Sequence, residues 1–132
     1  MTTLTRARVL TAAEELIAAF GATDTAAYFA CFSPDATFVF HPEPHRLDDR
    51  AAYEQLWASW LEDGWRVVSC QSTAQLVQIY GEVAVFTHTV DTVTSVGEEH
   101  TATRERETIV FVLDGEDLVA VHEHLSTAPD EA

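Results

Sequence analysis

At Asp63-Gly64 the hydrophobic pattern of the chain changes period, from helical upstream to strand-like downstream. Upstream, Tyr53, Leu56, Trp57, Trp60 and Leu61 fall at i, i+3, i+4, i+7 and i+8, which predicts a helix starting near Asp48 or Asp49 with a wide apolar face. Downstream, residues 65–79, 83–93, 100–113 and 118–126 read as strands. The links between them, Tyr80-Gly81-Glu82, Ser95-Val96-Gly97-Glu98 and Asp114-Gly115-Glu116-Asp117, are short and contain glycine, so they predict antiparallel hairpins. Residues 108–113 are apolar on both faces, which predicts a strand covered on both sides. The amino-terminal third is helical. Leu10, Ala13, Ile17 and Phe20 form a stripe over residues 5–20, and Gly21 is the expected stop. Asp24 is the expected N-cap of a short helix carrying Tyr28, Phe29 and Phe32, which Ser33-Pro34-Asp35 ends. Residues 36–41 read as a strand closed by Pro42-Glu43-Pro44. Helices followed by a strand meander give an α+β architecture, here one domain over residues 1–132 with its core at about 5–126 and a frayed tail at 128–132.

Charge narrows the function classes. The chain has 22 acidic and seven basic residues, a formal net charge of −15, and every basic residue is arginine. Schiff-base and P-loop lysine chemistry is therefore absent, and a surface this acidic repels nucleic-acid phosphates, so no nucleic-acid partner is expected. No run approaches the ~18 apolar residues of a membrane helix, so no membrane partner is expected either. The amino terminus, with Arg6 and Arg8 but no apolar segment behind them, does not read as a secretory signal. Cys31 and Cys70 lack motif spacing and read as reduced, semi-buried residues of a cytoplasmic protein. Lysine-free, acidic, Ala/Val/Thr-rich composition is associated with GC-rich bacteria, where small domains often serve specialised metabolism.

Within this order of elements stand Ser33-Pro34-Asp35-Ala36-Thr37-Phe38, Arg106-Glu107-Thr108 and Val121-His122-Glu123-His124-Leu125-Ser126. The order and these motifs together resemble the SnoaL-like branch of the nuclear transport factor two (ketosteroid isomerase-like) superfamily, the last being similar to the family's closing His-x-His-x-Ser strand. The resemblance spans about residues 10–126; Leu118 departs from it, standing where the family usually has tryptophan. It implies a cone-shaped α+β barrel, with amino-terminal helices packed in the concave face of a curved, mostly antiparallel sheet. It further implies a first strand parallel to the last, and a homodimer through the outer sheet faces. Members include ketosteroid isomerase, scytalone dehydratase, limonene epoxide hydrolase and polyketide cyclases, beside others with no known catalysis, so the fold implies a pocket and not a reaction.

Strand alternation puts His122 and His124 on one face, with Leu118, Ala120 and Ser126. With the implied topology, His41 lies beside one of them, and three imidazoles converge. Such a group suits general acid–base work or a metal shell, or simply hydrogen-bonds in a half-polar core. His45 and Glu43 are expected to be exposed. His88 is in phase with Phe86 and Val90, which points it inward and leaves Asp91 outside. In Arg104-Glu105-Arg106-Glu107 the arginines share one face; an inward Arg106 would bind a carboxylate or steady an enolate, while an outward one would form a cross-strand ion pair. Tyr28, Tyr53, Trp57 and Trp60 default to core, with Tyr53 or Trp57 able to wall a flat ligand. No phosphate loop, nucleophile elbow or Cys-His pair is present. The combined expectation is cofactor-independent proton transfer on a small apolar metabolite. His122, His124, Arg106 and His88 are the catalytic candidates, and Tyr28, His41, Tyr53, Trp57 and Phe86 the substrate-binding ones. A metal enzyme using His41, His122 and His124, or a non-catalytic ligand-binding or association module, are the alternatives.

Overall fold

The computed structural model describes residues 3–129. Three helices, α1 (Arg6–Gly21), α2 (Thr25–Ala30) and α3 (Arg50–Glu62), pack against five strands, β1 (Phe32–Phe40), β2 (Trp65–Tyr80), β3 (Val83–Val96), β4 (Glu99–Asp114) and β5 (Asp117–Thr127). Each helix starts on a side-chain cap. Thr5 accepts from the Arg8 N–H at 3.2 Å, Asp24 from Ala27 at 3.2 Å and Asp49 from Ala52 at 2.8 Å, each satisfying a donor the helix leaves open. The apolar face of α1 is wider than the expected stripe. Val9, Ala13, Leu16 and Ala19 are buried, while Leu10, Ile17 and Phe20 pack partly against the core. The sheet wraps far enough round the helix to engage both rows.

The sheet order is β1-β5-β4-β3-β2, with β1 parallel to β5 and the other pairs antiparallel. β1 and β2 are its edges, so the expected barrel is an open, curved sheet. The hairpins turn where glycine was expected, and Gly97 (φ 61°) and Gly115 (φ 65°) adopt the left-handed conformation such turns require. α2 ends earlier than expected. Phe32 already begins β1, and Ser33-Pro34-Asp35 lies in an irregular stretch between the paired residues Phe32 and Thr37, where the proline has no N–H to give a ladder. Of the tail expected to fray, Ala128 bonds through its N–H to the Arg104 carbonyl at 3.1 Å, and residues 130–132 lie outside the described part.

Two irregularities decide which side chains face the helices. In β2, Ala74 and Gln75 together oppose the single residue His88 of β3, with Ala74 at φ 53°. In β5, Val110 pairs with His122 but Phe111 pairs with Ala120, leaving Val121 as an extra residue. Such a bulge bends its strand and reverses the alternation beyond it.

Candidate functional site

A cavity of about 260 Å³ lies between the helices and the concave sheet face. Leu16, Ile17 and Phe20 of α1, Tyr28 of α2, Tyr53 and Trp60 of α3, Trp65 of β2 and Val90 of β3 supply most of its apolar wall. Its polar groups come mainly from adjacent central strands: His88 on β3, Glu105 and Glu107 on β4, and Glu123 on β5.

The cross-strand register sets these groups against one another. His88 is paired with Glu107 in the ladder, and its Nε2 lies 2.7 Å from Glu107 Oε1. Its Nδ1 lies 2.6 Å from Ser72 Oγ, which itself accepts from Gln75 Nε2 at 2.9 Å. With Nε2–H donating to the Glu107 carboxylate, which can only accept when ionised, the neutral ring leaves Nδ1 to accept the Ser72 hydroxyl hydrogen. Both line the cavity, but the His88 side chain has no exposed surface while Glu107 keeps 11%, so Glu107 is the more open member of the pair. Glu123, one diagonal step away, is only 4% exposed, and its Oε2 has no hydrogen-bond partner among the described residues. Burial, and next the charge of Glu107, raise its pKa well above the ordinary 4.5 and hold it protonated where most glutamates have ionised.

Above this pair, the Tyr28 and Tyr53 hydroxyls lie 3.0 Å apart. Burial, then the charge of Glu123, raises both pKa values well above 10, so both act as hydroxyl donors and not phenolates. Glu105 meets His41, whose Nε2 is 2.5 Å from Oε2, and accepts from Thr103 Oγ1 at 3.2 Å. Burial pushes the Cys70 thiol up to about 11, which removes it as a nucleophile near neutrality. Both cysteines are free and half-buried, as expected.

His88 faces inward and Asp91 outward, where it lies 3.8 Å from Arg104 Nε. Tyr28 and Tyr53 line the cavity. The expectation for the last strand is corrected: the Val121 bulge reverses its phase, bringing Glu123 and Leu125 inward and turning His122 and His124 out. His122 Nδ1 meets Thr37 Oγ1 at 2.8 Å away from the cavity, and His124 is exposed. His41, bound to Glu105, does not join them, so the three imidazoles do not converge. Among the described residues no group of three or more His, Cys, Asp or Glu is placed to hold a metal ion. Arg106 is exposed, paired in the ladder with Thr89 and Ser126, because Ile109 and Phe111 take the inward phase of β4 together with Glu105 and Glu107. Trp57 and Phe86 are sealed in the core, at 1% and 0% exposure, and wall nothing. Trp57 donates its indole N–H to Thr25 Oγ1 at 2.9 Å; the indoles that line the cavity are Trp60 and Trp65. His45 is exposed as expected, whereas Glu43 is half-buried and lines the cavity.

Glu105, Glu107 and Glu123 therefore replace His122, His124 and Arg106 as groups in the cavity, beside His88. The shared parity of Ile109 and Phe111 with the β4 glutamates signalled two of them; nothing in the pattern signalled the third.

Helices set in an open, curved sheet with a cavity between them define an NTF2-like protein. In fold the chain is similar to an NTF2-like protein from Cytophaga hutchinsonii (TM-score 0.81, 11% identity, 95% of this chain and 99% of that one covered). It is also similar to a candidate dehydratase of the NTF2-like family from Streptomyces avermitilis (TM-score 0.78, 18% identity, 94% and 96% covered). A third similar structure is a candidate Ca/calmodulin-dependent kinase II association domain from Exiguobacterium sibiricum (TM-score 0.79, 16% identity, 95% and 94% covered). No curated protein matches the sequence. The chain belongs to the SnoaL-like domain family, which it matches over residues 9–131.

Proposed function

We propose that the protein is a cofactor-independent enzyme that moves a proton between two atoms of one small, largely apolar molecule, as an isomerase or dehydratase does. Glu107 is the base, oriented by His88, and Glu123 is the acid. Two carboxyl groups side by side in a dry site share one proton more readily than they carry two charges, which supplies a base and an acid together. The single observation behind this reading is the Glu123 carboxyl, buried without a partner for Oε2 among the described residues, beside Glu107 in a cavity whose wall is mostly apolar. The Tyr28 and Tyr53 hydroxyls supply a further donor. The volume lies below the ~300–1,000 Å³ of sites for drug-sized ligands, so a one- or two-ring molecule fits.

Infrared difference spectra of the wild type against Glu123→Gln are expected to show a protonated carboxyl at neutral pH; an ionised Glu123 there would remove the acid. Single- and double-ring ketones and β-hydroxy ketones, with and without an amine substituent, are to be screened in D₂O for loss of water or for deuterium exchange beside the carbonyl. Glu107→Gln is expected to lower any turnover by about 10²–10⁴-fold, and His122→Ala to leave it intact. The reverse pattern would return the chemistry to the outer strand face.

The name of the Exiguobacterium neighbour favours an association module instead, but association alone gives no reason to bury an unpartnered carboxyl. We also infer a cytoplasmic homodimer through the outer sheet face. Val85, Val110, Val112 and Val119 support it, forming a half-exposed apolar surface there. Sedimentation is expected to give twice the mass of the 14.6 kDa chain, and a monomer's mass would end this reading.

A further inference from the structure

The charge of the cavity specifies its ligand more closely than its shape does. Among the described residues four carboxyl groups line it, Glu43, Glu105, Glu107 and Glu123, and none of the seven arginines does. The two imidazoles nearby are both spoken for, His41 by Glu105 and His88 by Glu107. Glu123 lines the cavity at 4% exposure, and its Oε2 has no hydrogen-bond partner among the described residues, so the carboxyl has hydrogen-bonding capacity left for a molecule that enters. A reaction that builds negative charge, such as enolate formation, finds no positive group here to receive it. One that builds positive charge finds several negative groups already in place, in a setting where they act strongly.

The walls agree with this. Phe20, Tyr28, Tyr53, Trp60 and Trp65 surround the same space, and the Trp60 and Trp65 rings lie with centroids 5.1 Å apart. Aromatic faces attract cations, tryptophan most of all, and carboxylates complete a site for an organic ammonium. The net charge of −15 adds a field that draws cations towards the protein and repels anions.

We infer that the molecule handled in this cavity is a compact ring compound bearing a basic nitrogen, and that this nitrogen meets the Glu123 carboxyl. The inference rests on the proton-transfer reading above and names its substrate class. For a ring compound with a C=N bond the step balances without any co-reactant. The Glu123 proton passes to the nitrogen, giving an iminium ion flanked by carboxylates. Glu107 then takes a proton from the carbon next to the C=N carbon, and the electron pair of that C–H bond forms the new C=C bond of an enamine. The nitrogen has gained a hydrogen and the carbon has lost one, which is a net isomerisation. Glu107 ends protonated and Glu123 ionised, and proton exchange between the two restores the start.

Binding tests the charge preference apart from turnover. Three probes of one shape are 2-aminoindane, 2-indanol and indane-2-carboxylate, with tryptophan fluorescence and calorimetry as readouts. The amine is expected to bind at least tenfold more tightly than the alcohol, and the carboxylate not to bind. In Glu123→Gln, checked as folded by thermal unfolding, the amine is expected to fall to the affinity of the alcohol, whose own binding persists. Equal affinity of amine and alcohol, binding of the carboxylate, no binding of the amine, or an amine preference that survives in Glu123→Gln would each overturn the inference. A protonated Glu123 with no amine preference would leave the proton-transfer reading standing and remove only this one.

Discussion

Trp57→Ala is expected to destabilise the protein by about 3–5 kcal/mol, the usual cost of emptying a large aromatic site in a core. Trp57 is 1% exposed, with Trp65 at 4.9 Å, Tyr28 at 5.1 Å and Phe29 at 5.5 Å between ring centroids, so little can collapse into the space. Truncation also strips the Thr25 hydroxyl of the indole N–H it accepts. Domains of this size have total stabilities of about 5–15 kcal/mol, so the loss is a large part of the whole. Trp60→Ala removes the same side chain from a half-exposed position at the cavity wall, and is expected to cost less while weakening ligand binding. Urea unfolding of both variants measures the difference, and a smaller loss in Trp57→Ala than in Trp60→Ala would contradict the packing described.

Glu123→Gln is expected to change how stability depends on pH. The native state holds the Glu123 proton more tightly than the unfolded chain does, because burial and the neighbouring charge of Glu107 raise its pKa. Between the ordinary value of 4.5 and the raised one, the native state therefore binds more protons than the unfolded state, and stability falls as pH rises. The slope reaches about 1.4 kcal/mol per pH unit for one proton. Below that window the stabilising effect of the bound proton is fully present; above it, the effect is lost. Glutamine is the neutral isostere at all pH values. The two unfolding curves should coincide in acid and separate as pH rises, with the variant the more stable. The groups facing Glu123 are Glu107 from β4, Cys70 from β2 and the tyrosines from α2 and α3, and all remain in the variant. Curves that run parallel from about pH 4 to pH 9 would show that Glu123 does not carry the shift.

The sequence makes most of the fold legible and much less of the cavity. Asp24 and Asp49 announce their helices because capping is local chemistry, and the glycine links announce the hairpins for the same reason. The parallel pairing of β1 with β5 is not local; it came from the resemblance. Phase on β3 is readable, since Phe86, His88 and Val90 continue without interruption. Phase on β5 is not, because one extra residue at Val121 inverts everything beyond it while leaving the apolar pattern nearly unchanged. The same holds for Ser72, brought onto His88 from a strand distorted at Ala74, and for Gln75, which donates to Ser72. On α3 the helical period places Tyr53, Trp57 and Trp60 on one broad face but does not say which indole reaches the edge of the packing. That is decided by α2, whose Thr25 takes the Trp57 N–H.

The kink at Val121 gives the closing strand a second, unexpressed set of chemical groups. Pulled straight by a slip of one position, the same letters would present imidazoles inward and turn the acid outward. In related chains, gain or loss of a single codon just ahead of this motif can therefore exchange nitrogen bases for carboxyls at the heart of the molecule without altering any residue that does the work. Comparing such chains by aligned letters alone would miss the exchange, whereas counting residues across the kink would find it.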